Sequence, residues 1–437
     1  MPRAPQRQRR SLSMARTPGR IHRDGLTATA AVLVEALEAA QQDRETAETL
    51  THPFHTYPAR LHPATAKVLV EFIGAGAGRT APLVDPFCGS GTVLVEARAA
   101  GLRTIGVDLN PLAVLIARAK TWTAPPRRRK QLAEAGHAIA AASLAAGKAA
   151  RRSAASAAEL EVSPRHRGQA PLRKVAGFDP NARNRRLASW FAPHVRRELE
   201  FLASQLDALR SDDAELADIL TACLSAVLYK VSSRTSDTDA TWTDRNVARG
   251  QAARLFVQRT DLLVAGLADL AKVHATQPEV HELDVRKLGD AVPDGTASGI
   301  ITSPPYAGTY DYAEHQRLRF DFLGLRHREL DAGEIGSRRS FEDDPHDALR
   351  RWKKALAGIV DRITTALAPG RAAAIVIGDS VARGRALYAL DDLREALTSD
   401  VVIEAWASQE RPMLGTVERR AFGDRPKAEH IVVLRRS

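Results

Sequence analysis

Two short segments hold residue types and spacings that could do chemistry. Residues 85–92 read Asp-Pro-Phe-Cys-Gly-Ser-Gly-Thr, and residues 302–306 read Thr-Ser-Pro-Pro-Tyr. In the first, the small residues Gly89, Ser90 and Gly91 let the backbone turn sharply and approach a ligand, while a following helix offers unpaired N–H groups. Asp85 stands four residues before the first glycine, where a carboxylate suits a cationic ammonium better than a pyrophosphate. Dinucleotide loops space their glycines as G-x-G-x-x-G, and here only Gly-Ser-Gly is present. A dinucleotide-dependent dehydrogenase is therefore the weaker reading, and a plain glycine turn the bland one. Twenty-three residues after Asp85, Asp108 ends a second apolar run, where a carboxylate can accept both hydroxyls of a ribose.

The second segment follows the apolar run 298–302. Its paired prolines fix two φ angles and remove two donors, making a rigid ledge with outward carbonyls. Ser303 adds a hydroxyl and Tyr306 a flat aromatic face. An exocyclic amino group has two N–H donors and a lone pair delocalised into its ring. Hydrogen bonds to the Ser303 hydroxyl and the Pro304 carbonyl hold both hydrogens and favour a more nucleophilic nitrogen, and a tyrosine can stack on a base removed from its helix. A Pro-Pro turn alone is common; one flanked by Ser and Tyr, downstream of residues 85–92, is far more specific.

The elements that must position these segments are legible from apolar patterning. Residues 81–85 predict a strand, 93–100 a helix, 103–108 a strand and 111–120 a helix with proline at its start. Strand, glycine turn, helix, strand and acid open a doubly wound α/β sheet. The pattern then breaks. Residues 123–177 are rich in Pro, Ala and Arg, resembling a low-complexity linker or weak helix, and 185–275 predict several helices. Alternation resumes with strands at 280–284 and 298–306, a helix around 347–367, a strand at 372–379, a helix near 390–397, and strands at 401–407 and 428–436 able to close as an antiparallel pair. A first helix is expected between Gly25 and Leu50, capped by Thr27 or Asp24. The division expected is a basic disordered arm (1–24), a cofactor half (25–122), an inserted basic linker plus helical region (123–276) and a catalytic half (277–437). The fold class is α/β, a Rossmann-like, seven-stranded sheet with a mainly helical insertion between the second helix and third strand.

Charge is unevenly placed. Of a net +11 over 437 residues, 1–24 contribute +6 and 127–186 contribute +10, leaving −5 elsewhere. Such basic segments attract polyanions without reading sequence; the alternative is solvated tails. No run of 18 apolar residues marks a membrane span, and the arginine-rich beginning lacks the apolar stretch of a secretory signal. Two cysteines, Cys88 and Cys223, fit neither a disulfide framework nor a zinc site, and no cluster has metal-ligand spacing. These features point to the cytoplasm. Neither cysteine lies where carbon-5 methylation of cytosine would need a nucleophile.

Together the two motifs resemble the family of DNA amino-methyltransferases, the N4-cytosine and N6-adenine enzymes, and the Ser-Pro-Pro-Tyr form is most similar to the N4-cytosine group. The resemblance covers residues 52–120 and about 278–437. It implies S-adenosylmethionine as cofactor, its methionine part supplying the ammonium, and double-stranded DNA with a flipped target base as partner. It implies a cofactor set of Tyr57, Asp85, Phe87, Cys88, Gly89, Ser90, Gly91, Thr92, Asp108, Asn110 and Asp284, with Asp108 on the ribose and Asp284 beside the adenine. Ser303, Pro304, Pro305 and Tyr306 would form the catalytic loop. The segment 55–63, with His55, Tyr57, Pro58 and Arg60, resembles the family element that packs over the cofactor's methionine end. Three alternatives stand beside cytosine N4: adenine N6 in DNA, a tRNA guanine amino group, and a nucleic-acid-binding protein that no longer catalyses. In this sequence the insertion comes before Asp284 rather than between it and the catalytic loop. Three weaker features are Tyr310, Asp311, Tyr312, His315, Arg317 and Arg319, which could close over a base, touch phosphates or form an ordinary helix surface; the polar loop 230–239; and a turn and cap at Gly378–Asp379–Ser380.

Overall fold

The computed structural model describes residues 19–43, 45–76, 80–161, 187, 190–234, 241–243, 245–413, 415–423 and 425–436. Most of the basic arm, residues 162–186 of the basic segment and residues 235–239 of the polar loop lie outside the described residues.

The strands are β1 (Ile21–Gly25), β2 (Leu83–Asp85), β3 (Thr104–Asp108), β4 (Glu279–Glu282), β5 (Gly299–Thr302), β6 (Ala372–Gly378), β7 (Ser380–Ala382), β8 (Arg385–Leu387), β9 (Val401–Glu410) and β10 (Ala428–Arg436). Eight of them form one sheet in the order β1-β9-β10-β6-β5-β2-β3-β4. From β6 to β4 neighbours run parallel; β10 is antiparallel to both β6 and β9. The central β2 and β5 are buried along their whole length, as expected of parallel strands covered on both faces. Chain order reverses between β2 and β5, a topological switch point whose carboxyl side is where ligands of such sheets bind. The closing pair β9–β10 forms as its patterning predicts, with one register irregularity between Val433 and Leu434.

The sheet has one strand more than the seven expected. Residues 21–25, assigned to a disordered arm and a helix cap, instead pair antiparallel with β9, Ile21 against Gln409 through Gly25 against Ala405. Most of this strand's side chains are exposed, so main-chain pairing forms it without the apolar alternation that would announce it. Gly25 (φ 98°) then turns the chain into α1 (Thr27–Gln42), whose start carries no side-chain cap.

The helices flanking the first half of the sheet are α2 (Pro63–Gly74), α3 (Thr92–Ala99) and α4 (Pro111–Lys120). The inserted region is helical: α5 (Pro126–Glu161), α6 (Pro193–Asp212), α7 (Ala214–Leu228) and α8 (Gln251–Leu270). Leu112 and Ile116 of α4 share one buried cluster with Leu220, Leu224 and Leu228 of α7 and Phe256 of α8. After β5 come four short helices, α9 (Tyr312–His315), α10 (Arg317–Leu323), α11 (Arg328–Gly333) and α12 (Arg338–Asp343), then α13 (Pro345–Ala366), α14 (Ala389–Glu395) and α15 (Thr416–Phe422). Among the described residues no helix is long and apolar enough to cross a membrane.

Candidate active site

The carboxyl ends of β2, β3, β4 and β5 bring Asp85, Asp108, Asp284 and Ser303 to one side of the sheet. There a cleft of about 730 Å³, counted out to its open mouth, is lined by Tyr57, Phe87, Gly89, Asp108, Asn110, Asp284, Ser303 and Pro305 from the two motifs and their partners. Cofactor loop and Pro-Pro ledge, more than two hundred residues apart, thus face one space.

The loop after β2 is held by hydrogen bonds that its sequence supplies. Asp108 accepts from Gly89 N through Oδ2 and from Asn110 N through Oδ1, both at 2.8 Å. Each carboxylate oxygen keeps a lone pair for a further donor. Burial pushes the Asp108 carboxyl up to about 6. Gly89 adopts φ 49°, and a Cβ there would point at Cε1 of Tyr57, 3.7 Å away. Asn110 caps α4, accepting from Leu112 N and Ala113 N, and donates through Nδ2 to the Tyr57 hydroxyl at 3.0 Å. One asparagine therefore fixes both the helix start and the aromatic ring above the loop.

Asp85 sits behind the cleft wall rather than on it. It is buried, accepts from Thr302 Oγ1 at 2.9 Å and from Phe87 N at 3.2 Å, and burial pushes its carboxyl up to about 7. Cys88, Ser90, Gly91 and Thr92 likewise do not line the cleft, and Cys88 stands where a Cβ on Gly106 would come within 3.1 Å of it. Ser90 Oγ and Thr92 Oγ1 are buried without a hydrogen-bond partner. Asp284 lines the cleft but is gripped by Arg286, whose backbone N and guanidinium both donate to it. Burial alone would raise its carboxyl, and these bonds and charge outweigh it, leaving the group below its usual range.

On the catalytic side Ser303 and Pro305 reach the cleft, whereas Pro304 and Tyr306 do not line it. The Tyr306 hydroxyl is 3.2 Å from Glu429 Oε1 on β10, and Glu429 also pairs with the buried Arg411. Burial raises the Tyr306 phenol well above its ordinary range, with the Glu429 charge acting the same way, so it stays protonated. Asp379, expected as a turn and cap, is a buried tether: it accepts from Ala389 N and Ala428 N at 2.9 Å and lies 3.0 Å from His430 Nε2. In the segment 55–63, Tyr57 lines the cleft but His55 turns away to Ser225 Oγ of α7 (2.8 Å), and Arg60 donates to the His52 carbonyl. Arg319, expected on a helix surface or near phosphates, is 1% exposed; its guanidinium lies 4.6 Å from the Tyr229 ring and bonds the Ser225 carbonyl and Gln316.

On the opposite wall, sequence alone singles out Tyr312 and misses the rest. Tyr312, Leu330, Gly333, Glu334 and Ile335 complete the cleft with Leu109, Leu283 and Val285. The Glu334 carboxylate accepts from Tyr312 N, and burial pushes it up to about 6. No motif spacing marks Leu330, Gly333, Glu334 or Ile335; Leu330 and Ile335 are apolar, and Gly333 and Glu334 carry no signal.

The lining suits S-adenosylmethionine: a half-buried carboxylate with spare lone pairs, a left-handed glycine turn under Tyr57, orphaned hydroxyls behind it, and apolar walls for a purine. Among the described residues no group of three or more His, Cys, Asp or Glu side chains could hold a metal ion.

Residues 53–183 match the model of the UPF0020 RMKL-like methyltransferase domain. A type II methyltransferase, M.MvaI from Kocuria varians, is 25% identical over 296 residues, 63% of this chain and 58% of that protein. A tRNA (guanine(10)-N2)-dimethyltransferase from Methanothermobacter thermautotrophicus is 39% identical over 54 residues, 12% of this chain and 16% of that one. The chain thus spans little more than half of the first relative and a small part of the second. A distant likeness to the crystal structure of TrmN from Thermus thermophilus has 11% identity and a TM-score of 0.34, covering 88% of this chain and 52% of that one. The doubly wound sheet and the match across the cofactor loop support a place in the methyltransferase superfamily, whose cofactor is S-adenosylmethionine.

Proposed function

We propose that this protein methylates an exocyclic amino group of a base in DNA, cytosine N4 being the target. The observation that carries this reading is that Ser303 and Pro305 line the same cleft as Gly89, Asp108 and Tyr57. Asp108 accepts the ribose hydroxyls, Asp284 and the apolar walls hold the adenine, and the loop 85–92 with Tyr57 carries the methionine end. Asp85 acts from behind, anchoring that loop through its bonds to Thr302 and Phe87. When bound, the cofactor supplies a sulfonium methyl group, and its transfer breaks a carbon–sulfur bond while forming a carbon–nitrogen bond.

Ser303 and the Pro304 carbonyl hold the two amino hydrogens and orient the nitrogen toward the methyl group. The base proton leaves afterwards to solvent, so no strong base is needed, and rate comes from orientation and polarising contacts. Tyr306, packed on Gly378 and bonded to Glu429 behind the cleft, sets the ledge. The helical region 123–276 and the two basic segments supply contacts to the polyanion.

The type II methyltransferase relative, matched over 296 residues, supports DNA. The shorter tRNA-modifying relative supports RNA as the second reading. Labelled-methyl transfer to DNA and to tRNA, followed by nucleoside mass spectrometry, decides between them. N4-methylcytosine in DNA is the expected product; N6-methyladenine would move the target base, and label confined to RNA would overturn the substrate.

A further inference from the structure

Among the described residues, Trp242 is the one aromatic among the exposed large hydrophobic side chains, with half its surface open (50%). Single exposed hydrophobics are common, but this indole is built into a stack. The Arg234 guanidinium carbon lies 4.2 Å from its ring and 4.5 Å from the ring of Trp190, and the two indole centroids are 6.1 Å apart. Main-chain bonds hold the layers in register. Arg234 and Trp242 form an antiparallel bridge, Ser233 N donates to the Trp190 carbonyl at 2.8 Å, and Thr243 N donates to the Ser233 carbonyl at 2.9 Å. Arg245 donates to the Tyr229 and Lys230 carbonyls at 3.1 and 2.7 Å, pinning the same turn.

This stack is wired to the cleft. Trp190 meets Tyr229 edge-on at 6.3 Å, and the Tyr229 hydroxyl donates to the His315 carbonyl at 2.7 Å. His315 contacts Tyr310, and Tyr310 contacts Tyr312, which lines the cleft. A rigid indole with a cation behind it, joined by packed rings to the mouth of a base-accepting cleft, has the properties of a stacking platform. Every base offers a π-face, and a cation under the ring favours a polyanionic strand over a neutral partner.

Resting on the nucleic-acid reading above, we propose that Trp242, backed by Arg234 and Trp190, stacks on an unpaired base of the substrate strand other than the one methylated.

The test uses the full chain with a single-stranded DNA oligonucleotide of mixed sequence, the same sequence in RNA, and the DNA duplex. Trp242→Ala should weaken binding of the single strands about tenfold or more, the loss of one base–aromatic stack. Trp242→Phe should keep most of it, and S-adenosylmethionine affinity and thermal melting should match the wild type in both. Quenching of tryptophan fluorescence on binding should shrink in Trp242→Phe relative to wild type. Unchanged oligonucleotide affinity in Trp242→Ala, with methyl transfer intact, would overturn the platform and leave the methyltransferase reading standing. A wild-type protein that binds the cofactor but transfers methyl to no nucleic acid would instead sink the underlying reading. A stronger loss with RNA than with DNA would support the platform and move the substrate class.

Discussion

The ring of Tyr306 occupies the space that a side chain on Gly378 would need: a Cβ there would stand 2.7 Å from Cε2 and 3.1 Å from Cδ2 of the tyrosine. The last residue of β6 is thereby matched to the last residue of the Ser-Pro-Pro-Tyr ledge. The Tyr306 hydroxyl reaches on to Glu429 of β10, so three neighbouring strands fix one aromatic ring.

Gly378→Ala should therefore displace Tyr306 while leaving the sheet intact. Methyl transfer is expected to fall at least tenfold with S-adenosylmethionine affinity within about twofold, and Tyr306→Ala should do the same. The measurement is kcat beside cofactor affinity by calorimetry. Full turnover in both variants would remove Tyr306 from the machinery.

Ser303→Ala removes the hydroxyl of a cleft-lining residue that hydrogen-bonds to the Tyr306 phenol. If that hydroxyl holds an amino hydrogen in the transition state, kcat should drop about a hundredfold, the size of losing one preorganised polar contact. Cofactor affinity should stay put, because Asp108, Asn110 and Tyr57 are untouched. A rise in KM with unchanged kcat would assign Ser303 to binding alone.

Asp108 links cofactor affinity to pH. Its carboxyl is raised to about 6 by burial, so between pH 5 and 7.5 it passes from largely protonated to ionised. The carboxylate is the stronger acceptor for hydroxyl groups, and S-adenosylmethionine affinity should rise several-fold across that range. Asp108→Asn should bind about ten- to a hundredfold more weakly and show a flatter profile. In the unliganded protein the sign runs the other way. A carboxyl raised in the folded state contributes stability below its unfolded value, lost as pH climbs through about 6 for Asp108 and about 7 for Asp85. Affinity that falls with pH would contradict the ribose contact.

Where chemistry needs particular side chains at fixed spacing, the sequence was legible. Gly89, Asp108 and Ser303 reach the cleft from three strand ends, and each strand was announced by a short apolar run ending in or before a polar residue. Asp85 was legible as a residue but not as a position: only the structure shows it bonded to Thr302 behind the wall. The wall made by Leu330, Gly333, Glu334 and Ile335 contributes shape, and shape leaves no motif. Strand β1 was hidden because its pairing with β9 is main-chain only, and its side chains carry no alternation. Arg319 was misread as a surface group because a basic residue in a short helix ordinarily faces water. Its burial depends on Tyr229, Ser225 and Gln316, two of which come from distant helical segments.

Lys120, the last residue of α4, tests how the insertion is sealed onto the sheet. Its amine is fully buried and without a hydrogen-bond partner, near a cluster in which His52 Nε2 lies 2.6 Å from Glu96 Oε1. Burial, with the Arg60 charge assisting, pushes the amine down to about 7, although Glu96 pulls it back up. Above its unfolded value, near 10.5, the amine is neutral in both states and carries no penalty; as pH falls through about 7 the stability is lost. Lys120→Met keeps the stem and removes the amine, while Glu96 retains His52. We expect the variant to be about 1–4 kcal/mol more stable than wild type at pH 6, a range seen when buried charges are replaced by apolar residues. The gain should shrink steadily toward pH 10. Urea unfolding at pH 6, 8 and 10 measures it, and a variant less stable at pH 6, or shifted equally at all three, would show that Lys120 stabilises the seal.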